Sequence, residues 1–201
     1  MIGELWLVLH SRGHITAGIL RVALRFNTEM RFWNRSPDYV MKEKAIDPRV
    51  HIGHVHLKVA DLQRALDFYC GVLGFELTQR YGEEAAFVSA GGYHHHIGLN
   101  TWESRDGPPP PKGTTGLYHF AISYPTRAAL ADALRRLIDA SISLEGASDH
   151  GVSEALYLSD PDGNGIELYW DRPRELRPRD VNGQIEMFTR PLDLENLLAE
   201  L

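Results

Sequence analysis

His54, His119 and Glu167 have the side chains of a metal site, and they occupy matching places in a sequence that repeats itself. When GHVHLKVADLQRALDFY (Gly53 to Tyr69) is aligned with LYHFAISYPTRAALADAL (Leu117 to Leu134), His54 falls on His119, 65 residues on (119 − 54). Asp61 falls on Thr126 at the same offset. Further along, HIGLNTW falls on GIELYWD at an offset of 69, which sets Ile97 on Ile166 and Gly98 on Glu167. Two imidazoles and one carboxylate around one cavity, with coordination positions left open, form the ligand set of a non-haem Fe(II) oxygen-using enzyme. His54 and His56 are two residues apart on one predicted strand and so share a face, which leaves His56 as an alternative to His54.

The elements that must position these residues can be read from periodicity. His51–Val59 alternates as a strand, and Asp61 then caps a helix whose Leu62, Leu66, Tyr69 and Leu73 recur at three- or four-residue spacing. Gly74 supplies its C-terminal stop. Strands are predicted at Phe75–Arg80, Ala85–Ala90 and His95–Trp102. The second copy repeats the order, with a strand at Leu117–Tyr124, a helix over Thr126–Ala140, and strands at Ile142–Glu145, Ser153–Ser159 and Gly165–Trp170. DPDGNG (Asp160 to Gly165) is dense in turn-forming residues and predicts a tight reversal. Neither copy can bury its own sheet face alone, so the two are expected to pair.

The expected organisation is an N-terminal extension over 1–48, a first βαβββ module over 49–105, a Pro-rich linker over 106–116, a second module over 117–172 and a C-terminal tail over 173–201. The extension is basic, with Arg12, Arg21, Arg25, Arg31 and Arg35 against Glu4, Glu29 and Asp38, and it is read as lying outside the fold. DGPPPPKG cannot be helix or interior strand, which suits a stiff connection. The fold class is α+β.

A net charge of −6 argues against nucleic-acid binding, and no apolar run approaches the ~18 residues needed to cross a bilayer. A single cysteine, Cys70, excludes an internal disulfide and reads as a small buried hydrophobe. These features predict a cytoplasmic enzyme with a small-molecule substrate.

From about Ile52 to Arg172 the chain resembles the vicinal oxygen chelate superfamily. The resemblance is carried by GHVHLKVADLQRALDFYCGVLGF, HHHIGLNTW and DHGVSEALYLSDPDGNGIELYW. It implies paired modules curled into a half-open barrel around a metal, with His54, His119 and Glu167 as ligands to Fe(II), Mn(II) also being compatible. Glyoxalase I-type members carry a protein ligand at both places equivalent to Glu167, whereas this chain has Gly98 at the other. Three protein ligands leave room for a chelating diol and dioxygen. The resemblance thus points to extradiol cleavage of a catechol, giving a 2-hydroxymuconic semialdehyde-type product. It also implies roles for His96 near the dioxygen position, for His150 as a hydrogen-bonding partner of substrate or bound oxygen, and for Tyr157 on the substrate's oxygen. Phe120, Trp102, Phe87 and Trp170 are expected to wall the pocket, and assembly as a homo-oligomer is expected. The alternatives are a glyoxalase-like or thiol-transferase metalloenzyme, or a metal-free drug-sequestering protein.

Overall fold

The computed structural model describes residues 45–201, and Val50–Leu201 form one compact unit. The expected extension falls almost wholly outside the described residues. The first module runs β1 (Val55–Lys58), α1 (Leu62–Leu66), β2 (Glu76–Tyr81), β3 (Ala85–Ser89) and β4 (Ile97–Asn100). The second runs β5 (Phe120–Ser123), α2 (Arg127–Asp139), β6 (Gly146–Asp149), β7 (Ser153–Ser159) and β8 (Gly165–Asp171), followed by β9 (Arg190–Pro191) and α3 (Leu194–Leu198). Each module builds its own sheet, ordered β1-β4-β3-β2 in the first and β5-β8-β7-β6-β9 in the second. These are the two tandem βαβββ units of an α+β fold that the repeat predicts.

Both helices begin where the sequence says they should. Asp61 accepts the Arg64 N–H at the start of α1, and Thr126 accepts that of Ala129 at the start of α2. The first helix continues beyond Leu66 as a π-helical turn over Asp67–Val72 and ends at Gly74, whose φ of 85° only glycine adopts at no cost. One strand lies later than predicted. Ile142 and Leu144 pack against the core as loop residues, and Ile142 N–H caps the Leu137 carbonyl, so β6 starts at Gly146. Its GASD sequence has no apolar alternation by which to find it.

Alternation along the strands sorts side chains onto two faces. Leu57, Val59, Val88, Ile97 and Leu99 of the first sheet share one hydrophobic cluster with Leu156, Leu158, Ile166 and Leu168 of the second. Leu62, Leu66 and Phe68 of the first helix and Leu130, Leu134 and Leu137 of α2 complete it. Each such side chain contributes roughly 2 kcal/mol by leaving water. The opposite face of each sheet therefore points away from this common core, and those faces carry the candidate chemistry.

The DPDGNG segment does more than reverse the chain. Asp160 accepts the N–H groups of Asp162 and Asn164, which is the turn itself, and also the Tyr69 hydroxyl at 2.9 Å. Asp162 accepts the Ala60 N–H at 2.9 Å and pairs with Arg64 at 2.7 Å. The turn thereby locks the second module onto the strand–helix junction of the first.

Candidate metal and diol site

The second sheet brings four of the six sequence-predicted site residues into one hydrogen-bonded group. His119 immediately precedes β5, and Glu167 lies at the middle of the adjacent parallel strand β8. His119 Nε2 is 3.2 Å from Glu167 Oε2, with the two side chains 31% and 17% exposed. Two ligands at right angles on one divalent ion, each about 2.1 Å from it, stand about 3 Å apart, so this donor pair fits a metal. Tyr157 is directly opposite Glu167 in the antiparallel β7–β8 ladder. Its hydroxyl donates to Glu167 Oε1 at 3.0 Å and meets His150 Nε2 at 2.8 Å.

Proton counting orders this chain of contacts. Phe188 C=O can only accept, so its 3.2 Å contact with His150 Nδ1 places a proton on Nδ1. In neutral His150, Nε2 is then an acceptor, and the one Tyr157 proton serves either Nε2 or Glu167. A further proton on His150 Nε2 satisfies both contacts together. Burial, and then the hydrogen bond to and charge of Glu167, push the Tyr157 phenol up to about 12, so it keeps its proton at neutral pH.

The tail after β8 is what fixes His150. Phe188 and Thr189 both reach His150 Nδ1 at 3.2 Å, and β9 pairs with β6 through Arg190 and Asp149. Gly151, at φ 78°, passes so close that an added Cβ would lie 2.8 Å from the Phe188 ring and 2.9 Å from Pro178. The sequence reading missed this role because carbonyl and threonine partners in an irregular segment carry no motif.

The first sheet presents an aromatic face. The His54 ring lies 4.4 Å from His95 and 6.5 Å from His94, while His56 lies 6.0 Å from Phe87 and 5.7 Å from Trp102. Burial, then the charge of His54, draws His56 below the ordinary imidazole value, and burial followed by the surrounding histidines does the same to His95. Both shifts favour the neutral form of these two rings. His96 turns to Ser89, with Nδ1 2.9 Å from Ser89 Oγ and 3.4 Å from the Ala90 N–H. Since Ala90 can only donate, Nδ1 accepts, and the neutral ring carries its proton on Nε2. His95, which the sequence reading left as a strand-end residue, is the one beside His54, because regular alternation starts only at Ile97.

Two of the expected pocket walls belong elsewhere. Phe120 is 8% exposed within the core, and Trp170 packs against that core, both on the helix side of the second sheet. Phe87 and Trp102 remain on the site side. Within a single chain, His54 does not join His119 and Glu167. Among the described residues, no three His, Cys, Asp or Glu side chains converge as metal ligands.

Residues 51–168 match the model of the Glyoxalase/Bleomycin resistance protein/Dioxygenase superfamily. The chain belongs to this superfamily. A catechol-2,3-dioxygenase of Bacillus subtilis is 45% identical over 157 residues, which are 78% of this chain and 54% of that protein. A biphenyl-2,3-diol 1,2-dioxygenase of Rhodococcus globerulus is 31% identical over 118 residues, 59% of this chain and 61% of the relative. More distant superfamily relatives are lactoylglutathione lyases. A solved glyoxalase/dioxygenase structure from Nostoc punctiforme shares the fold at a TM-score of 0.52 and 21% identity, covering 65% of this chain and 98% of that one. The chain spans only about half to two-thirds of the length of the two dioxygenase relatives. Among the described residues, no helix is long and apolar enough to cross a membrane.

Proposed function

We propose that this superfamily member is an extradiol dioxygenase that opens the ring of a catechol beside its two hydroxyls and delivers both atoms of dioxygen into the product. The observation that carries the reading is the His119–Glu167 pair with Tyr157 bridging it to His150. His119, Glu167 and His54 would hold Fe(II), or Mn(II) in its place. Bound there, the ion would lower the pKa of the diol and couple it electronically to dioxygen.

The protein's own residues then have distinct tasks. Tyr157, held beside Glu167 and His150, orients the diol by turning its single proton from Glu167 to a substrate oxygen. His150 Nε2 takes up a proton released as the diol ionises, with Phe188 and Thr189 holding the ring in place. His96 offers an Nε2–H donor to negative charge that develops on oxygen during cleavage. Phe87 and Trp102 supply a flat apolar wall for an aromatic ring.

Gly98 argues against the lyase reading, since the first module has no carboxylate where the second has Glu167. A metal-free binding role gives no reason for the His119–Glu167–Tyr157–His150 chain. The test is a parallel assay of the Fe(II)-loaded protein against catechol, 3-methylcatechol and 2,3-dihydroxybiphenyl with dioxygen, and against the hemithioacetal of methylglyoxal and glutathione. Oxygen-dependent ring cleavage without isomerisation is expected, and the reverse pattern would transfer the chain to the lyases.

A further inference from the structure

We propose that Arg172 is a positioning residue for the reaction: its guanidinium fixes the backbone on both sides of His150 and so sets where that imidazole stands against Tyr157. This rests on the role given to His150 under the proposed function. Arg172 stands one residue beyond β8, the strand that carries Glu167. Its Nη1 donates to Asp149 Oδ1 at 3.0 Å and to the Gly151 carbonyl at 2.6 Å. The Gly151 N–H donates to the same Asp149 oxygen at 2.7 Å. Asp149, Gly151 and Arg172 thus close a ring of hydrogen bonds with His150 between them, and the Arg172 N–H adds a bond to the Val152 carbonyl at 2.8 Å.

The second observation is where His150 sits. It lies in the short loop, residues 150–152, that joins β6 to β7, whereas Tyr157 and Glu167 stand on paired strands. Loop residues are the more mobile part of a fold, yet a 2.8 Å contact with the Tyr157 hydroxyl leaves little room for drift. Phe188 and Thr189 hold the ring through Nδ1, but both belong to an irregular tail. Arg172 ties the loop backbone instead to the end of β8, the strand that supplies the carboxylate. The imidazole and the carboxylate are thereby referred to one rigid element.

The third observation is how Arg172 is itself held. Its Nη2 donates to Glu154 Oε1 at 2.8 Å, and the other oxygen of buried Glu154 accepts from Arg127 Nε at 2.7 Å. The side chains of Arg172 and Glu154 are only 18% and 7% exposed. Withdrawing such charges from water costs about what their attraction returns, so stability alone gives little reason for the arrangement. Geometry gives a better one. A planar guanidinium anchored at Glu154 by one arm aims the other arm at Asp149 and Gly151 together, which a lysine ammonium cannot do.

The decisive experiment is a double-mutant cycle on turnover with the Fe(II)-loaded full chain. Arg172→Gln should lower kcat for catechol about 10²-fold while iron content and KM stay near wild type. Arg172→Lys, which keeps the charge and loses the fork, should fall between the two. In a His150→Ala background, Arg172→Gln should lower kcat no further, because no imidazole remains to be misplaced. Equal losses in the two backgrounds would overturn the proposal and leave Arg172 a structural residue. Where Arg172→Gln fails to fold, Arg172→Lys carries the same cycle.

Magnetic resonance of the metal-free full chain tests the placement apart from the chemistry. The ring Cε1–H signal of His150, identified by its absence from His150→Ala, should shift in Arg172→Gln while the histidine signals of the first module stay in place. An unmoved His150 signal would overturn the proposal even where turnover falls. A shifted signal in a protein that opens no catechol in any form would sink the functional reading and keep Arg172 as the residue that places His150.

Discussion

Gly98 occupies in the first sheet the place that Glu167 occupies in the second. Gly98 pairs with His56 across the parallel β1–β4 ladder, and Glu167 pairs with Ala121 across β5–β8. Large and small are exchanged between the repeats: the first places an imidazole opposite glycine, the second a carboxylate opposite alanine. A Cβ built on Gly98 would stand 3.0 Å from three atoms of the His56 ring, so the space cleared by the glycine is filled by that imidazole.

This relationship predicts coupling between the two positions. Gly98→Ala should displace the exposed His56 ring, costing about 1 kcal/mol of stability and raising KM more than it lowers kcat. In a His56→Ala background the same change should cost almost nothing. Chemical denaturation of the four proteins measures the difference as a double-mutant cycle. Additive effects would show that the ring does not depend on the missing Cβ.

Tyr157→Phe removes the hydroxyl between Glu167 and His150 and leaves the proposed ligands untouched. Iron content should stay at the wild-type level while kcat falls about 10²-fold. Equal loss of iron and activity would mean that Tyr157 serves mainly to hold Glu167.

Gly151→Ala tests the tail's grip on His150. The new methyl group would collide with Phe188 and Pro178 in a backbone conformation that alanine avoids. A loss of about 2 kcal/mol is expected, together with a drop in turnover larger than that of Thr189→Val, which removes one polar contact only. Thermal unfolding and steady-state kinetics report the two effects separately.

Much of this placement was legible in the sequence. The helix caps Asp61 and Thr126 and the strand Ser153–Ser159 follow from local sequence signals, and the repeat offsets single out His119 and Glu167, whereas Tyr157 was placed at the site only by the family resemblance. What was not legible depends on contacts distant in the chain. Phe120 and Trp170 look like pocket walls because aromatic composition does not reveal which face of a sheet a side chain takes. DPDGNG reads as a turn, yet Asp160 and Asp162 also reach Tyr69 and Arg64 about ninety or more residues away. The place of His54 relative to Glu167 depends on how whole modules pack, which no strand pattern encodes.

Tyr69 offers a pH-dependent test of that clamp. Burial, then the Asp160 charge, raises its phenol well above the ordinary value near 10. The folded protein keeps a proton there that the unfolded chain releases, so this contribution is complete below about pH 10 and fades as the pH climbs above it. Tyr69→Phe should cost about 1–3 kcal/mol at neutral pH, because buried Asp160 loses one of its donors. Urea unfolding between about pH 9 and 11 should then show a smaller alkaline loss in the variant than in the wild type. Parallel curves would assign the alkaline sensitivity to another group.

Oxygen consumption tests the central claim most directly. The protein would be loaded with Fe(II) without air, given catechol, and mixed with aerated buffer while dissolved oxygen and visible absorbance are followed. One dioxygen consumed per catechol, with a yellow ring-opened product carrying both oxygen atoms and neither signal in Glu167→Ala, is the predicted result. Iron-loaded wild-type protein that consumes no oxygen with catechol, 3-methylcatechol or 2,3-dihydroxybiphenyl would contradict it.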